Sequence, residues 1–261
     1  MGHKVSPQLL RIGYIKTWHS RWFARPRDVA RFVAEDFKIR KFIKSRFKQA
    51  AISKIVIERL TERVKIRIHS ARPGIIIGRH GSDIERLRED LNGLIKRELS
   101  IDIEEIKDPS LDAQLVAENV AMQLEKRIAF RRAIKRAMEQ SLSAGAKGIK
   151  ISCSGRLGGA EMSRTETYRQ GKIPLSTFRA DIDFAIAESL TTYGLIGVKV
   201  WIYKGDVLLN RSKVAKAGSA AVQPDEEALS QTAAAAAPTA APTTPPPAVP
   251  GTAPEGEKPA A

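Results

Sequence analysis

The sequence has little of what disulfide-bonded, metal-binding or membrane-spanning proteins need. Cys153 is its only cysteine, so no internal disulfide can form, and no Cys and His residues stand at the spacing of a zinc site. No apolar run approaches the roughly 18 residues of a transmembrane helix, and the N-terminus lacks the apolar stretch of a secretory signal. These absences favour a reducing, cytosolic compartment, and we expect Cys153 to be a small buried side chain.

Sequence motifs of nucleotide-dependent enzymes are also missing. No glycine turn is followed by the Lys-Ser/Thr of a P-loop, and the GxGxxG fingerprint is absent. Asp181 and Asp183 share one face of a predicted strand, and we expect a solvated pair, not a catalytic one. We predict no enzymatic activity, no cofactor, no metal and no small-molecule substrate. A nuclease, the alternative enzyme class, would need a convincing carboxylate cluster for metal ions.

Positive charge is what the sequence has in excess. The 261 residues include 44 Lys and Arg against 29 Asp and Glu, a formal net charge of +15. Residues 207–261 hold four basic and five acidic residues, so the excess lies entirely in residues 1–206. Such a balance predicts a polyanionic partner, with nucleic acid ahead of an anionic membrane. We expect no membrane binding, because the basic helices lack a large apolar face.

The hydrophobic pattern predicts an α+β protein in four segments. Residues 1–27 form a basic arm, residues 28–108 a first domain, residues 109–210 a second α+β domain, and residues 211–261 a tail. From Gln231 onward, 19 of 31 residues are Ala or Pro. Such a segment buries too little apolar surface to offset its ordering entropy, which predicts a disordered tail.

The first domain has the predicted order helix, strand, strand, turn, helix, strand. Asp28 can cap the first helix. The predicted apolar side of this helix is Val29, Phe32, Val33, Phe37 and Ile39. Period-two alternation predicts strands around 55–58 and 64–69, joined by a short turn at 60–62. The second helix runs from about Asp83 to Leu99, with Ser82 and Glu85 at capping-box spacing, and residues 101–106 suggest a strand.

The pattern of the second domain predicts one long helix followed by strands. The helix extends from Leu111 to about Ser143, where Gly145 stops it. Four strands are predicted at Lys147–Ser154, Glu166–Gln170, Arg179–Glu188 and Ile196–Tyr203. Helices followed by several neighbouring strands are typical of an α+β fold and not of a doubly wound sheet.

A glycine turn between the second strand and second helix is the first candidate RNA site. Gly78 and Gly81 allow a tight turn and close approach of a backbone, and helix-start amides bind phosphate. Arg79 and His80 stand between them. This is the GXXG pattern with which a KH domain clamps four nucleotides. GXXG alone is a weak motif and also fits an ordinary turn, but the element order around it is similar to a type II KH domain.

The second candidate site is a basic stripe on the predicted long helix. Arg127, Arg131 and Lys135 follow at i, i+4 and i+8, flanked by Arg132 and Arg136. Leu124, Ile128 and Met138 can face the core. Since no acid in the sequence balances residues 131–136, we favour contact with RNA phosphates over a merely solvated face.

Further cations are expected to contact RNA. In the N-terminal arm these are Lys4, Lys16, Arg21 and Arg25. Trp18, Trp22 and Phe23 lie among them, where they either stack on unpaired bases or anchor the arm on a protein core. In the second domain the candidates are Arg156, Arg164 and Arg169, around a glycine loop that either binds phosphate or simply turns between strands.

Seven stretches of the chain, in order, resemble one family closely. They are Met1–Pro7, Trp22–Ala24, Ile77–Gly81, Phe130–Arg136, Gly155–Glu161, Arg179–Asp183 and Thr192–Ile202. The family is that of the third protein of the bacterial small ribosomal subunit, a universal ribosomal family with a type II KH domain. The resemblance covers about residues 1–210, and the Ala/Pro-rich tail lies outside it.

The resemblance implies a cytoplasmic structural protein in the head of the 30S subunit, bound to 16S rRNA. It implies contacts with neighbouring proteins, notably the tenth and fourteenth of the small subunit. It also implies that the basic helix lines the channel through which mRNA enters and helps to unwind structured mRNA, a role that maps onto Arg131, Arg132 and Lys135. A free KH-type regulatory RNA binder is the alternative.

Overall fold

Two large hydrophobic cores, and a small third cluster around Ala180, Ile182 and Tyr203, organise the part of the chain that the computed structural model describes, residues 4–60, 63–95 and 97–207. Each core lies against one four-stranded sheet. The α+β prediction is confirmed. The tail predicted over 211–261 lies outside the described residues, as do Thr61 and Glu62 of the predicted turn.

The first core belongs to the predicted KH region. Its elements are β1 (Ser20–Arg21), α1 (Pro26–Arg46), β2 (Ile52–Arg59), β3 (Arg63–Ser70), α2 (Pro73–Ile77), α3 (Ser82–Ile95) and β4 (Glu98–Glu105). The sheet order is β1-β2-β3-β4, with β2 and β3 antiparallel and the two outer pairs parallel. Alternating apolar residues of β3, namely Val64, Ile66 and Ile68, are fully buried, as their period of two predicts.

The predicted apolar side of α1 is largely wrong. The helix begins at Pro26, which suits the first helical position, and Asp28 lies in its first turn instead of capping it. Asp36, Ile39 and Ile43 are the buried positions. The apolar side chains of Val29, Val33 and Phe37 are exposed. The helix is rotated toward Asp36 because that carboxylate receives several hydrogen bonds inside the fold.

The turn-to-strand part of this domain also differs from the prediction. A short helix, α2, stands between β3 and the glycine turn. The following helix ends at Ile95 and not at Leu99. Leu99 instead lies in β4 opposite Val64 and is buried, because the parallel ladder with β3 draws this segment into the sheet.

The second core lies under two helices and a second sheet. The elements are α4 (Ala113–Glu125), α5 (Phe130–Ser143), β5 (Gly148–Gly155), β6 (Arg164–Gly171), β7 (Ala180–Thr191) and β8 (Gly194–Asp206). The strand order is β6-β5-β8-β7, with every neighbouring pair antiparallel. All four predicted strands are confirmed. Cys153 is buried in β5, and burial raises the pKa of its thiol to about 11.

The single long helix predicted over Leu111–Ser143 is wrong, because the chain breaks at 126–129 into α4 and α5. A continuous helix of that length would extend about 50 Å, which is longer than β8, the longest strand of the second sheet, whose 13 residues span about 44 Å. The break allows both halves to bury an apolar side, including Val120 in α4 and Ile134 in α5, against the same sheet.

The N-terminal segment connects the two cores. Arg11 is fully buried, and its guanidinium donates hydrogen bonds to five backbone carbonyls. These are the carbonyls of Pro7, Pro174, Leu175, Thr177 and Ala180, at 2.6–3.4 Å. Further along, Ser20 and Arg21 pair with β2 of the first sheet. The predicted basic arm of residues 1–27 is therefore, over its described part, a strap bound to both domains.

The expected solvated pair, Asp181 and Asp183, is also a correction. Asp183 accepts hydrogen bonds from Lys16 at 3.1 Å, from Gln8 at 3.0 Å and from the backbone amide of Ala113 at 3.1 Å. Asp181 lies 3.7 Å from the Lys16 ammonium. Burial acts to raise the pKa of Asp183, but Lys16, Lys204 and the Ala113 amide hold it below its ordinary value. Both carboxylates fix the strap.

The described residues contain neither a helix that could cross a membrane nor a cluster of side chains that could hold a metal ion. None of the helices there is both long and apolar enough to cross a membrane. No group of three or more His, Cys, Asp or Glu side chains in the described ranges is placed to hold a metal ion.

Candidate nucleic-acid interface

The glycine turn joins α2 to α3 and has a backbone that few other sequences could adopt. Gly78, His80 and Gly81 have φ values of 72°, 53° and 82°, in the left-handed region that favours glycine. A side chain at position 78 would also collide with the carboxylate of Asp83. Arg79 and His80 are exposed at the tip. The turn therefore presents backbone and a cation outward, as a phosphate clamp requires.

A shallow groove begins beside this turn. Its volume is about 380 Å³, and it lies between α3 and β4. Ile84 and Ile101 contribute apolar surface, and the charges that line the groove are balanced, since Glu85 and Glu98 accompany Arg63 and Arg88. Arg63 lies 2.7 Å from Glu98, so the groove offers apolar surface beside the glycine turn without an excess of positive charge.

Four cations of α5 share one exposed face. They are Arg131, Arg132, Lys135 and Arg136. The opposite face, including Ile134 and Met138, is buried against the second sheet. Apart from Arg131, none of the four has a carboxylate within 4 Å in the described part of the chain. The helix thus concentrates positive charge on one surface of the second domain.

Arg127 does not belong to that helix face. It lies in the connection between α4 and α5, with a left-handed φ of 59°, so the expected i, i+4, i+8 alignment with Arg131 and Lys135 is wrong. Ile128, expected in the core, is exposed in the same connection. The chain reverses here to start α5, which turns both residues outward. Arg127 remains an exposed cation beside the start of α5.

Glu166 on β6 is a partner for Arg131 that the sequence did not reveal. The Arg131 guanidinium lies 3.7 Å from the Glu166 carboxylate, and that of Arg164 lies 3.2 Å from it. Both guanidinium groups also lie 5.6 Å from the centre of the Phe130 ring. Desolvation and the hydrogen bond donated to Glu166 raise the pKa of Tyr168. The fold therefore brings Arg164 next to the basic face of α5.

Three other cations that were predicted to contact RNA instead bind groups of the same chain. Arg156 donates hydrogen bonds to the backbone carbonyls of Ala160 at 2.9 Å and Tyr193 at 3.4 Å, which stabilises its own loop. Lys16 is paired with Asp183. Arg21 lies 3.3 Å from the Glu58 carboxylate. These three cations are less available to RNA than their sequence positions suggested.

The remaining predicted contacts are exposed. Lys4 and Arg25 lie on the surface of the N-terminal segment, and Arg169 lies on β6. The aromatic residues of the arm divide between the two roles that the sequence left open. Trp22 donates a hydrogen bond to buried Asp36 at 2.9 Å, whereas the side chain of Phe23 is 98% exposed.

Comparison with protein families assigns both domains. Residues 38–111 match the family model described as "KH domain". Residues 120–202 match the one described as "Ribosomal protein S3, C-terminal domain". The first range contains the glycine turn, and the second contains the basic face of α5.

Several curated relatives match most of the chain, and each carries the name small ribosomal subunit protein uS3. The protein of Desulforamulus reducens is 57% identical over 215 residues, covering 82% of this chain and 97% of the relative. That of Carboxydothermus hydrogenoformans is 58% identical, covering 80% and 94%. That of Trichlorobacter lovleyi is 60% identical, covering 80% and 99%.

Proposed function

The chain belongs to the uS3 family of small ribosomal subunit proteins, and from this premise we propose that it binds 16S rRNA in the head of the cytoplasmic 30S subunit. The protein is a structural RNA-binding component of the subunit and not an enzyme. Its KH domain supplies one RNA-binding surface through Gly78–Gly81. The second domain supplies another through α5.

In this proposal, the exposed face of α5 lines the channel through which mRNA enters and helps to open structured mRNA. The observation that carries the proposal is the row of Arg131, Arg132, Lys135 and Arg136 on one face, with Glu166 the carboxylate in contact at 3.7 Å from Arg131. Phosphate contacts hold and position a strand without reading its sequence. Weak base specificity is expected, which suits a surface past which every mRNA moves.

The basic helix needs no nucleotide hydrolysis to act in this way. A cationic surface lowers the free energy of the open form relative to the duplex to the extent that it holds the separated strand more tightly than the duplex. Movement of the ribosome along mRNA supplies the work. The missing P-loop signature agrees with this division of roles.

We also propose protein contacts with the tenth and fourteenth proteins of the small subunit. The first domain has apolar side chains that its own core leaves uncovered. Phe37 is 66% exposed on α1, in line with exposed Val29 and Val33. Exposed apolar surface of this kind supports a protein neighbour.

The test uses ribosomes that carry Arg131→Ala, Arg132→Ala and Lys135→Ala together. Sucrose-gradient sedimentation in high salt first measures incorporation into 30S and 70S particles. We expect normal incorporation and about tenfold slower translation through a stable mRNA hairpin, since three phosphate contacts are lost. Translation of an unstructured mRNA serves as the reference.

The matched control removes equal charge from α1, with Arg31→Ala, Lys38→Ala and Lys41→Ala. Hairpin passage should then stay at the unmutated rate. Unchanged passage in the α5 variant would refute the role of this helix. A chain that stays at the top of the gradient in low and high salt would refute the ribosomal proposal and favour a free KH-type RNA binder.

A further inference from the structure

The two sheets differ in how the cations on their helix-free faces are neutralised. On the first sheet, β3 cations stand beside carboxylates of β4. Arg63 lies 2.7 Å from Glu98, Lys65 lies 2.9 Å from Asp102, and Arg67 lies 3.2 Å from Glu104. We call this set of ion pairs the paired face. Its positive charge is balanced within the protein.

The corresponding face of the second sheet has cations without such partners. Lys150 of β5 is directly opposite Arg169 of β6 and, on its other side, opposite Trp201 of β8. Lys199 precedes Trp201 by two residues and therefore lies on the same side of the sheet. No carboxylate of the described ranges lies within 4 Å of any of the three cations. Glu188 of β7 is diagonal to Lys199 across β7 and β8.

This surface, defined by Lys150, Ser152, Thr167, Arg169 and Lys199, is called the outer face below. It is turned away from α5, because Ile149, Ile151 and Cys153 occupy the alternating positions of β5 that are buried against the helices. The Lys150 ammonium lies 4.8 Å from the centre of the Trp201 ring. Thr167, Arg169 and Lys199 are exposed. A ligand can therefore reach the outer face from solvent.

The directly opposed cations Lys150 and Arg169 do not help the isolated chain to fold. Like charges directly opposite one another across two strands destabilise a sheet. Cations on edge strands can prevent unwanted strand pairing, and β6 is an edge strand. Lys150 and Lys199, however, lie on the two central strands, β5 and β8, where edge protection does not apply. The arrangement is explained if an anion from another molecule neutralises the face.

We propose that the outer face binds the phosphate backbone of 16S rRNA. This inference rests on the proposed function. It assigns the two RNA partners of the protein, mRNA and 16S rRNA, to opposite sides of the second domain. The basic face of α5 contacts mRNA, and the outer face contacts rRNA. Besides the three cations, Ser152 and Thr167, whose hydroxyl oxygens lie 3.0 Å apart, offer neutral hydrogen bonds to phosphate oxygens.

The experiment compares two triple variants of the full chain. One removes the outer-face cations, with Lys150→Gln, Arg169→Gln and Lys199→Gln. The matched control removes three cations of the paired face, with Arg63→Gln, Lys65→Gln and Arg67→Gln. Each variant is titrated onto small-subunit particles reconstituted without this protein, across a series of salt concentrations, and its urea unfolding is measured separately.

We expect the outer-face variant to bind the particles at least about tenfold more weakly and to lose about three from the slope of log affinity against log salt. Its unfolding midpoint should stay the same or rise, because a like-charge pair has been removed. The paired-face variant should show the reverse, with a normal salt slope and a lowered midpoint. An outer-face variant with the unmutated affinity and slope would overturn the proposal.

A second measurement identifies the occupant. An iron chelate that generates hydroxyl radicals is attached at Thr167→Cys in a Cys153→Ala background, and the labelled chain is assembled into the particles. Cleavage of 16S rRNA near the label supports the proposal. Cleavage confined to a neighbouring protein would overturn it in favour of an acidic protein partner. If even the unmutated chain fails to join the particles, the proposed function itself fails, which is distinct from normal assembly without rRNA cleavage.

Discussion

The first sheet and the second domain are both rich in cations, yet they use them differently. On β2 and β3 of the first sheet, carboxylates stand within 4 Å of Arg59, Arg63, Lys65 and Arg67. In the second domain, most cations of α5 and of the outer face lack such a partner within the described residues. The comparison shows that the number of basic residues is a poor guide to an RNA surface. The missing counter-charge is the better guide, because only an unbalanced cation gains much from a phosphate.

The most buried ion pair of the first domain is that of Arg59 with Asp36, and breaking it should have the largest effect on stability. Arg59 and Asp36 have side chains only 3% exposed and lie 2.6 Å apart. Arg59→Leu would leave a buried carboxylate without its cation, and we expect a loss of about 3–5 kcal/mol in the free energy of unfolding. Urea unfolding followed by tryptophan fluorescence measures it.

The control for that change is Arg63→Leu. It breaks a solvent-exposed pair and should cost under about 1 kcal/mol. Equal losses in the two variants would show that burial does not distinguish the pairs of the first domain.

Arg11 of the strap differs from the cations of both regions, because neutral backbone carbonyls hold it in place of a carboxylate. Arg11→Met removes a fully buried guanidinium and leaves carbonyls of the 174–180 segment without donors. We expect a loss of about 3 kcal/mol in unfolding free energy. Arg11→Lys should lose less, because an ammonium keeps the charge but reaches fewer carbonyls. A Lys variant as unstable as the Met variant would contradict a role for charge in this contact.

The smallest expected effect is the pH dependence at the Lys16–Asp183 contact. Because the folded-state pKa of Asp183 is lowered, its contribution to stability is fully present above the unfolded value near 3.8. It is lost as pH falls from there through the lower folded value. Asp183→Asn should reduce the stability at neutral pH and flatten this part of the curve. Acid unfolding curves of the two proteins that differ by a constant amount down to pH 2 would contradict the assignment.

Much of the fold follows from local patterns. The strands β3 and β7 were predictable because alternation of apolar and polar residues places one set of side chains on a buried face. The glycine turn was predictable for a similar reason, since Gly78 and Gly81 permit a backbone that other residues disfavour. The seven family stretches added the identity of the domains, which composition and periodicity could not supply.

The break between α4 and α5 was not predictable in this way. Residues 126–129 contain neither Gly nor Pro, so no local signal ends the helix. The break lets α4 and α5 each bury apolar residues, such as Val120 and Ile134, in the same core. The partners of Arg131, Arg11 and Asp183 were hidden for a related reason, because each is distant in sequence. Arg11, for example, meets Ala180 across 169 residues.

The class of partner, the α+β architecture and the glycine turn could be predicted from the sequence, because charge, periodicity and glycine conformation act locally or in sum. Tertiary structure alone decided which cations are available. It placed Lys16 against Asp183, Arg156 against its own loop and Arg127 off the helix face. Packing chooses the neighbours of each charge, and those neighbours decide whether a cation holds the fold together or remains free to bind RNA.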